Sequence, residues 1–289
     1  MNYYILYNPR AGHGTGETVA QTLRSKMGDT VLDMVDVTKI TNYKAFLAEK
    51  TDCGLLLCGG DGTLNHFIND TADLNLPNEV FYFAVGTGND FLRDISGEGK
   101  TDAPICITKY LKDLPICEIN GKKYRFLNGI GYGIDGYCCE VGDALKASSD
   151  KPVNYTAIAI KGLLFHYKPT GATVTVDGKE YRFKKVWIAP TMKGRYYGGG
   201  MIPTPDQSRN DPDGKLSVMV FHDTGKISTL AIFPSIFKGK HVNHKKAVTV
   251  YSGHEITVQF DEPRPLQVDG ETILGVTEYK ATAKVKAKV

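Results

Sequence analysis

The sequence predicts two domains, an α/β domain over residues 1–114 and a mostly antiparallel, β-sandwich-like domain over residues 115–279. The first rests on the alternation of strand and helix signals through the first 110 or so residues, which is typical of helices covering a parallel sheet. The second rests on a change near residue 115, after which short β-like segments dominate. In addition, three glycine-rich loops each follow a predicted strand of the first domain.

Apolar runs predict the strands of the first domain, which are Tyr3–Tyr7, Val31–Val37, Cys53–Cys58 and Val80–Val85. Helical patterns are interspersed with them, at Glu17–Met27, Thr41–Lys50 and Leu64–Asp70. Thr41 is the predicted cap of the second helix. Because strands connected through helices run parallel, their carboxyl ends share one edge of the sheet, where ligands bind in open α/β folds.

The second domain begins with different signals. Asp177-Gly178, between Thr173–Val176 and Glu180–Trp187, predicts a β-hairpin. Further predicted strands are Leu216–His222, Ala247–Tyr251, Glu255–Phe260 and Pro265–Val268, and the predicted helices are Asp135–Lys146, Asn154–Phe165 and Ile227–Phe237. In residues 280–289, apolar or small residues alternate with lysine. This pattern indicates an edge strand protected by charge that packs back on the first domain, with a basic membrane-binding tail as the alternative.

Composition excludes several classes of protein. The chain has 289 residues, 42% hydrophobic and 23% charged, and it contains no apolar run of the roughly 18 residues that a membrane span needs. The first residues lack a signal-like pattern, which favours the cytoplasm. The six cysteines form no CxxC pair, so we expect reduced thiols rather than zinc or disulfides. A net charge of +3 gives no reason to expect a nucleic-acid partner.

The three glycine-rich loops are residues 8–16, 59–63 and 86–90. No GxxxxGK[ST] is present, and the glycines of the first loop have the wrong spacing for GxGxxG, which argues against a Walker-type P-loop and a Rossmann dehydrogenase. Glycine nevertheless lets backbone N–H groups approach phosphate oxygens, and a helix N-terminus favours an anion. Three such loops side by side would hold a triphosphate; the alternative is a set of ordinary tight turns.

Asp61 lies in the middle of the second loop, Gly59-Gly60-Asp61-Gly62-Thr63. A carboxylate among phosphate-binding amides repels the ligand unless a cation lies between them. Magnesium that bridges Asp61 and the phosphates would remove this repulsion, and a structural N-cap for the following helix is the alternative role. Thr63 would likewise bind phosphate or cap the helix.

These motifs resemble those of the diacylglycerol kinase catalytic-domain family, which includes bacterial lipid kinases and, more distantly, sphingosine kinases. The matching motifs are Asn8-Pro9-Arg10-Ala11-Gly12, Gly59-Gly60-Asp61-Gly62-Thr63, Gly86-Thr87-Gly88-Asn89-Asp90-Phe91, Gly198-Gly199-Gly200-Met201, Asp213-Gly214-Lys215-Leu216 and Asp269-Gly270-Glu271. GGDGT alone is also found in NAD kinases, whereas GTGNDF is more specific. Ala84 replaces a proline that is usual in the family.

The resemblance implies an NAD kinase-like α/β domain that binds ATP, and roles for individual residues. The implied ATP-site residues are Asn8, Pro9, Arg10, Ala11, Gly12, Thr38, Gly59, Gly60, Asp61, Gly62, Thr63, Leu64, Asn65 and Thr87. Glu271 would accept the proton of the lipid hydroxyl, with Asp269 beside it, and Asp213, with backbone oxygens near Asn210 and Lys215, would form a cation site. Without the resemblance, Val268–Glu271 would be interpreted as a hairpin turn.

The resulting hypothesis is an ATP- and magnesium-dependent lipid kinase that converts diacylglycerol to phosphatidate, peripheral to the inner face of the membrane. NAD kinase and a catalytically silent nucleotide-binding regulator are the alternatives. The apolar run Leu230–Phe237 and the lysines of residues 238–246 suit a peripheral membrane contact, although a core helix followed by a charged loop is also compatible with them. A homodimer is compatible with the resemblance.

Overall fold

The computed structural model describes residues 1–86, 88–148 and 153–284 of the chain. It divides into two compact units, Met1–Leu114 and Pro115–Val289. No helix among the described residues is both long enough and apolar enough to cross a bilayer.

The first unit is built on a five-stranded sheet in the order β2-β1-β3-β4-β5. Its strands are β1 (Tyr3–Tyr7), β2 (Val31–Asp36), β3 (Gly54–Gly59), β4 (Val80–Ala84) and β5 (Ile105–Cys106). Its helices are α1 (Ala11–Gly14), α2 (Gly16–Met27), α3 (Tyr43–Leu47), α4 (Asp61–Asp70), α5 (Asp90–Ser96) and α6 (Thr108–Leu111). The first four strands are parallel and β5 is antiparallel to β4.

Strand β3 explains why this sheet has helices on both faces. Every residue of β3 is buried, and successive side chains of a strand point to opposite faces. Leu56 and Cys58 pack with Ala20 and Leu23 of α2 on one face. Leu55 and Leu57 point to the opposite face, and because they are also buried, that face must be covered by other helices. The uninterrupted apolar run in the sequence therefore corresponds to a central parallel strand.

Ten antiparallel strands form the sheet of the second unit, with the path β13-β12-β11-β8-β14-β15-β6-β7 and with β9 joining β10 to β14. The first six strands are β6 (Ile116–Ile119), β7 (Lys122–Arg125), β8 (Gly129–Tyr132), β9 (Thr170–Val176), β10 (Lys179–Val186) and β11 (Thr191–Met192). The others are β12 (Leu216–Phe221), β13 (Val248–Gly253), β14 (Glu255–Val268) and β15 (Glu271–Thr282). The long strand β14 pairs with β8, β9 and β15 and thereby connects both parts of the sheet around one apolar core.

A layer of helices covers part of the second unit. It consists of α7 (Ile134–Ser148), α8 (Tyr155–Lys161), a π-helical turn (Gly162–His166), α9 (Lys226–Ile232) and two 3₁₀ segments (Phe233–Lys238 and His241–Asn243). Buried residues of these segments form a common apolar cluster with Trp187. The predicted α/β and antiparallel sandwich-like fold class is confirmed.

Two details differ from the prediction. The side chain of Asn42, rather than that of Thr41, caps α3 by accepting the N–H of Ala45 at 3.0 Å. The two strands predicted within residues 255–268 form one strand, whose register with β15 shifts near Arg264, where flanking prolines lack N–H donors.

The last described residues of the chain continue the sheet of the second unit. Lys280–Thr282 of β15 pair with Ile116–Glu118 of β6, and Ala283 donates its N–H to the carbonyl of His254 at 2.8 Å. These partners all belong to the second unit, and the packing of residues 280–289 against the first domain stays a prediction. Residues 285–289 lie outside the described residues.

Candidate functional site

The three glycine-rich loops lie at the carboxyl edge of the first sheet. They follow β1, β3 and β4, which are adjacent in the strand order. The predicted convergence is therefore a consequence of topology, because parallel neighbours end at the same edge. Thr38, which follows the adjacent β2, lies at the same edge, and its N–H and hydroxyl both donate to Asp36 Oδ1.

Direct contacts join the loops to one another. The amide of Asn8 in the first loop donates to the hydroxyl of Thr63 at 3.1 Å, and the N–H of Val85 donates to the carbonyl of Gly59 at 2.8 Å. Gly12 has a φ of 59°, and a Cβ at this position would lie 2.7 Å from Cγ1 of Val85. The first two loops thus contact each other, and both lie against Val85 directly before the third loop. Part of the glycine content serves this close packing.

Asp61 connects the second loop to the third. Its Oδ2 accepts the N–H of Asp90, the first residue of α5, at 2.8 Å. The residue at the N-cap of α4 is Gly60, and α4 has no side-chain cap. The alternative role, an N-cap for the following helix, is therefore not observed, since the carboxylate accepts the first N–H of a different helix.

The carboxylate of Asp61 therefore has a loop-joining role in this structure. Its second oxygen, Oδ1, is buried. The magnesium role of Asp61 stays a prediction.

Other glycines of these loops face open space. A Cβ on Gly88 would meet no atom within 4 Å, and one on Gly60 would meet only the carbonyl oxygen of Val85, at 3.6 Å. The fold itself does not require glycine at Gly60, whose φ of −99° suits any residue. Such unobstructed backbone is what a phosphate group needs for a close approach.

The remaining predicted nucleotide-site residues differ in their surroundings. The backbone N–H of Arg10 donates to Asn8 Oδ1 at 3.0 Å, which shapes the Asn8–Gly12 turn and leaves the Arg10 side chain exposed. Leu64 is fully buried, and its N–H donates to the carbonyl of Gly60, so it supports α4 from the core. Asn65 is also buried. Thr87 lies outside the described residues.

The Asp269-Gly270 pair forms a two-residue hairpin turn between β14 and β15. Val268 pairs with Glu271, and Asp269 and Gly270 both have positive φ, 48° and 98°, as a type I′ turn requires. The hairpin interpretation of this segment is confirmed, and it is compatible with the predicted role of Glu271, whose side chain is exposed at the start of β15.

Asp269 has a different environment from Glu271. Its carboxylate accepts three backbone N–H groups, those of Leu127 at 2.6 Å, Asn128 at 2.8 Å and Gly129 at 3.0 Å. On the other side of this loop, the buried guanidinium of Arg209 donates to the carbonyl of Leu127 and to Asn128 Oδ1. Asp269 therefore fastens the turn to residues 127–129, and this leaves Glu271 as the better candidate for a proton acceptor.

A buried pair that the sequence did not single out supports the same turn. Gln267 Nε2 donates to Asp135 Oδ2 at 2.9 Å, and Gln267 Oε1 accepts the N–H of Gly270. Burial raises the pKa of Asp135 to about 6. Gly131 is required beside this pair, since a Cβ there would lie 1.4 Å from Asp135 Oδ2. The glycines at positions 129, 131, 133 and 136 surround Asp135 in the sequence and are a local signal for this aspartate, but not for its partner Gln267.

The residues of the predicted cation site contact other residues in this structure, and the cation site itself stays a prediction. Lys215 Nζ lies 2.9 Å from Asp213 Oδ2, so an ammonium group already neutralises this carboxylate. The carbonyl of Asp213 accepts from His254 and that of Lys215 accepts from Gln207, while Asn210 is an exposed loop residue. Within the described parts of the chain, no three His, Cys, Asp or Glu side chains form a metal-binding group.

Two family models match the chain in sequence order. The diacylglycerol kinase catalytic domain matches residues 2–117, and the YegS C-terminal NAD kinase beta sandwich-like domain matches residues 128–286. The chain belongs to the diacylglycerol kinase catalytic-domain family. The resemblance identified from the motifs is thereby confirmed, and the two matches correspond to the two compact units.

Individual lipid kinases are similar over most of the chain. The diacylglycerol kinase of Mycobacterium tuberculosis (strain ATCC 25618 / H37Rv) is 24% identical over 249 residues, 82% of this chain and 78% of the relative. The diacylglycerol kinase of Bacillus subtilis (strain 168) is 26% identical over 224 residues, 75% and 70% of the two chains. A crystal structure of a diacylglycerol kinase from Bacillus anthracis str. Sterne covers 98% of this chain and 94% of its own, with a TM-score of 0.61 and 19% identity, and shows the shared fold.

Proposed function

We propose that this protein transfers the γ-phosphate of ATP to the hydroxyl group of a lipid, and that the lipid is diacylglycerol. The observation that carries the proposal is the meeting of three glycine-rich loops at one sheet edge in a chain of this family. The names of the relatives in M. tuberculosis and B. subtilis support diacylglycerol as the acceptor.

The first unit has the task of binding ATP. Phosphate oxygens would approach the open backbone at Gly60 and Gly88, where no side chain obstructs them, and the positive end of α4 would favour their charge. Asn8, Asp61 and Thr63 hold the loops in their relative positions. Magnesium enters with ATP as part of the donor substrate and reduces the charge of its phosphates.

The second unit has the task of activating the acceptor. Glu271 takes the proton of the lipid hydroxyl as the oxygen attacks the γ-phosphorus, and the bond from the γ-phosphorus to the β-phosphate oxygen breaks, so that ADP leaves. A carboxylate is suited to this proton transfer because an alcohol is a weak nucleophile while it keeps its proton. Asp269 and Gln267 hold the turn that carries Glu271 in position. Asp269 accepts the N–H of Leu127 in the neighbouring loop, and Gln267 accepts the N–H of Gly270 in the turn itself.

The test is phosphate transfer from γ-labelled ATP, with magnesium, to a panel of acceptors in detergent mixed micelles. The panel contains diacylglycerol, phosphatidylglycerol, a polyprenol and a sphingoid base, with NAD as a soluble acceptor. Wild-type protein is expected to label diacylglycerol, and Glu271→Gln is expected to lose about 10²–10⁴-fold in rate, the usual contribution of a general base.

The panel separates the proposal from its alternatives. Labelling of NAD alone would establish an NAD kinase instead. ATP binding without labelling of any acceptor would favour the nucleotide-binding regulator. Labelling of a lipid other than diacylglycerol would keep the lipid kinase but replace its acceptor, and an unchanged rate in Glu271→Gln would remove that residue from the chemistry.

A further inference from the structure

Two apolar side chains of the helical layer in the second unit are almost fully exposed. Ile227, near the start of α9, is 85% exposed and Phe165, in the π-helical turn, is 71% exposed. No other large apolar side chain that the structure describes is as exposed as these two. They are close together, because their chain neighbours are hydrogen-bonded to each other. Lys226, which precedes Ile227, donates from Nζ to the carbonyl of Leu164, which precedes Phe165, at 2.7 Å.

The surrounding packing fixes the outward direction of these side chains. Ile158 of α8, Leu163 of the π-helical turn and Ile236 beyond α9 are buried in the same apolar cluster, with Leu230 packed against it. The segments that carry Phe165 and Ile227 are therefore held by their own buried faces. Exposure of the two tips is a property of the folded layer and does not arise from a missing core contact.

The two segments that carry Phe165 and Ile227 contain lysines but no acidic residue, whereas α7 of the same layer contains Asp135, Glu140 and Asp143. Residues 153–176 and 224–254 contain no aspartate or glutamate. Within the same two segments, the lysines are Lys161, Lys168, Lys226, Lys238, Lys240, Lys245 and Lys246, and all seven are exposed. Exposed apolar groups within a field of lysines complement the surface of an anionic bilayer, whose acyl chains accept the apolar groups while its head groups attract the cations.

We propose that Phe165, Ile227 and these lysines form a membrane-docking surface, by which the protein binds an anionic lipid bilayer. The proposal rests on the proposed function only in that a lipid kinase needs access to a bilayer. Phe165 and Ile227 enter the boundary between head groups and acyl chains, and the lysines remain at the level of the lipid phosphates. The bilayer covers apolar area that is otherwise in contact with water.

The test is co-sedimentation of the full chain with phosphatidylcholine vesicles, with and without phosphatidylglycerol. The apolar variant is Phe165→Ser with Ile227→Ser, and its control is Leu274→Ser, which removes a 60% exposed leucine from β15. The charge variant is Lys161→Gln with Lys168→Gln, and its control is Lys122→Gln with Lys184→Gln, two exposed lysines on β7 and β10. Lys226 is kept, because it contacts Leu164.

We expect binding that requires phosphatidylglycerol and weakens as salt is added. The apolar pair should weaken binding about tenfold or more, and each lysine removed should weaken it about fivefold. Both controls should bind as wild type does. Equal binding to both kinds of vesicle, equal losses in variants and controls, or no vesicle binding by wild type would overturn the proposal.

Two further measurements separate membrane docking from catalysis and from self-association. Transfer to diacylglycerol in detergent micelles should be unchanged in all four variants; if wild type itself labels no lipid, the proposed function fails while the vesicle comparison still decides the docking. Sedimentation velocity is measured without lipid. If wild type is a dimer that the apolar pair dissociates, the surface binds a second copy and the membrane proposal is wrong.

Discussion

Asp269→Asn is expected to destabilise the second unit without removing the group that reacts. Asp269 accepts three backbone N–H groups from residues 127–129, at 2.6–3.0 Å. Asparagine retains one carbonyl oxygen but replaces the other oxygen with an NH₂ group, which faces donors instead of accepting from them. It also tolerates the φ of 48° at this position, so the backbone contributes little to the effect.

The magnitude follows from these contacts. A hydrogen bond to a charged group contributes about 1.5–3 kcal/mol, and the substitution removes the charge and leaves at least one partly buried N–H without an acceptor. Because such contributions do not add fully, we expect the free energy of unfolding to fall by about 2–4 kcal/mol.

Tryptophan fluorescence during urea unfolding is a suitable measurement. The chain has a single tryptophan, Trp187, which is buried in the second unit. Its emission therefore reports on the unit that contains Asp269, even if the two units unfold separately. Circular dichroism of the same samples follows both units together.

Glu271→Gln is the matched control, since it removes the other carboxylate of the same turn. Because Glu271 is exposed, the free energy of unfolding of Glu271→Gln should stay within about 0.5 kcal/mol of the wild-type value, while phosphate transfer is lost. If Asp269→Asn unfolds at the same urea concentration as Glu271→Gln, the three N–H contacts do not stabilise the fold and the division of tasks between the two carboxylates is refuted.

Three further outcomes are expected. Gly59→Ala places a Cβ 2.4 Å from Thr63 Oγ1 and should lower the free energy of unfolding by about 1–3 kcal/mol. Gly60→Ala, in contrast, should melt at the same temperature as wild type but bind ATP more weakly. If Gly60→Ala binds ATP as tightly as wild type, the phosphates do not approach the backbone at Gly60. Asp61→Ala removes the acceptor of the first N–H of α5 and should cost about 1–2 kcal/mol, read as a lower melting temperature by circular dichroism. Burial raises the Asp135 pKa from 3.8 to about 6, so between these pH values the folded state keeps a proton that the unfolded state releases. The free energy of unfolding of wild type should therefore fall by up to about 3 kcal/mol between pH 4 and 7, relative to that of Asp135→Asn. Parallel profiles of urea stability against pH for the two proteins would contradict this.

The fold was predictable where a local signal determines the structure. The apolar run before Gly59 specifies a buried parallel strand, and Asp177-Gly178 specifies a hairpin whose turn residues both have positive φ, 48° and 82°. An error arose where two local signals compete, and strand pairing could not be predicted where the partner is distant. Thr41 and Asn42 are both good caps, and nothing near Lys280 in the sequence indicates that its partner is Glu118.

The candidate site was less predictable, because its contacts join residues far apart in the chain. The order of the loops along the sequence gives their common edge but not the bond from Asp90 to Asp61. Asp135 and Gln267 are separated by 132 positions, and neither belongs to a motif that indicates the other. The hairpin turn at Val268–Glu271 was predictable from its local sequence, but the distant N–H groups of residues 127–129 that Asp269 accepts were not.

A motif residue of this chain can therefore stabilise the fold, bind a ligand, or do both, and its type alone does not distinguish these tasks. Two adjacent glycines show this. A Cβ on Gly59 would clash with the side chain of Thr63, whereas a Cβ on Gly60 would clash with no atom. The two aspartates Asp61 and Asp269 are similar in this respect, since both accept backbone N–H groups from another loop. Loss of activity after substitution of either aspartate would thus be expected from loop displacement alone. Only a variant that keeps its stability and loses transfer, as expected for Glu271→Gln, identifies a residue that takes part in the reaction.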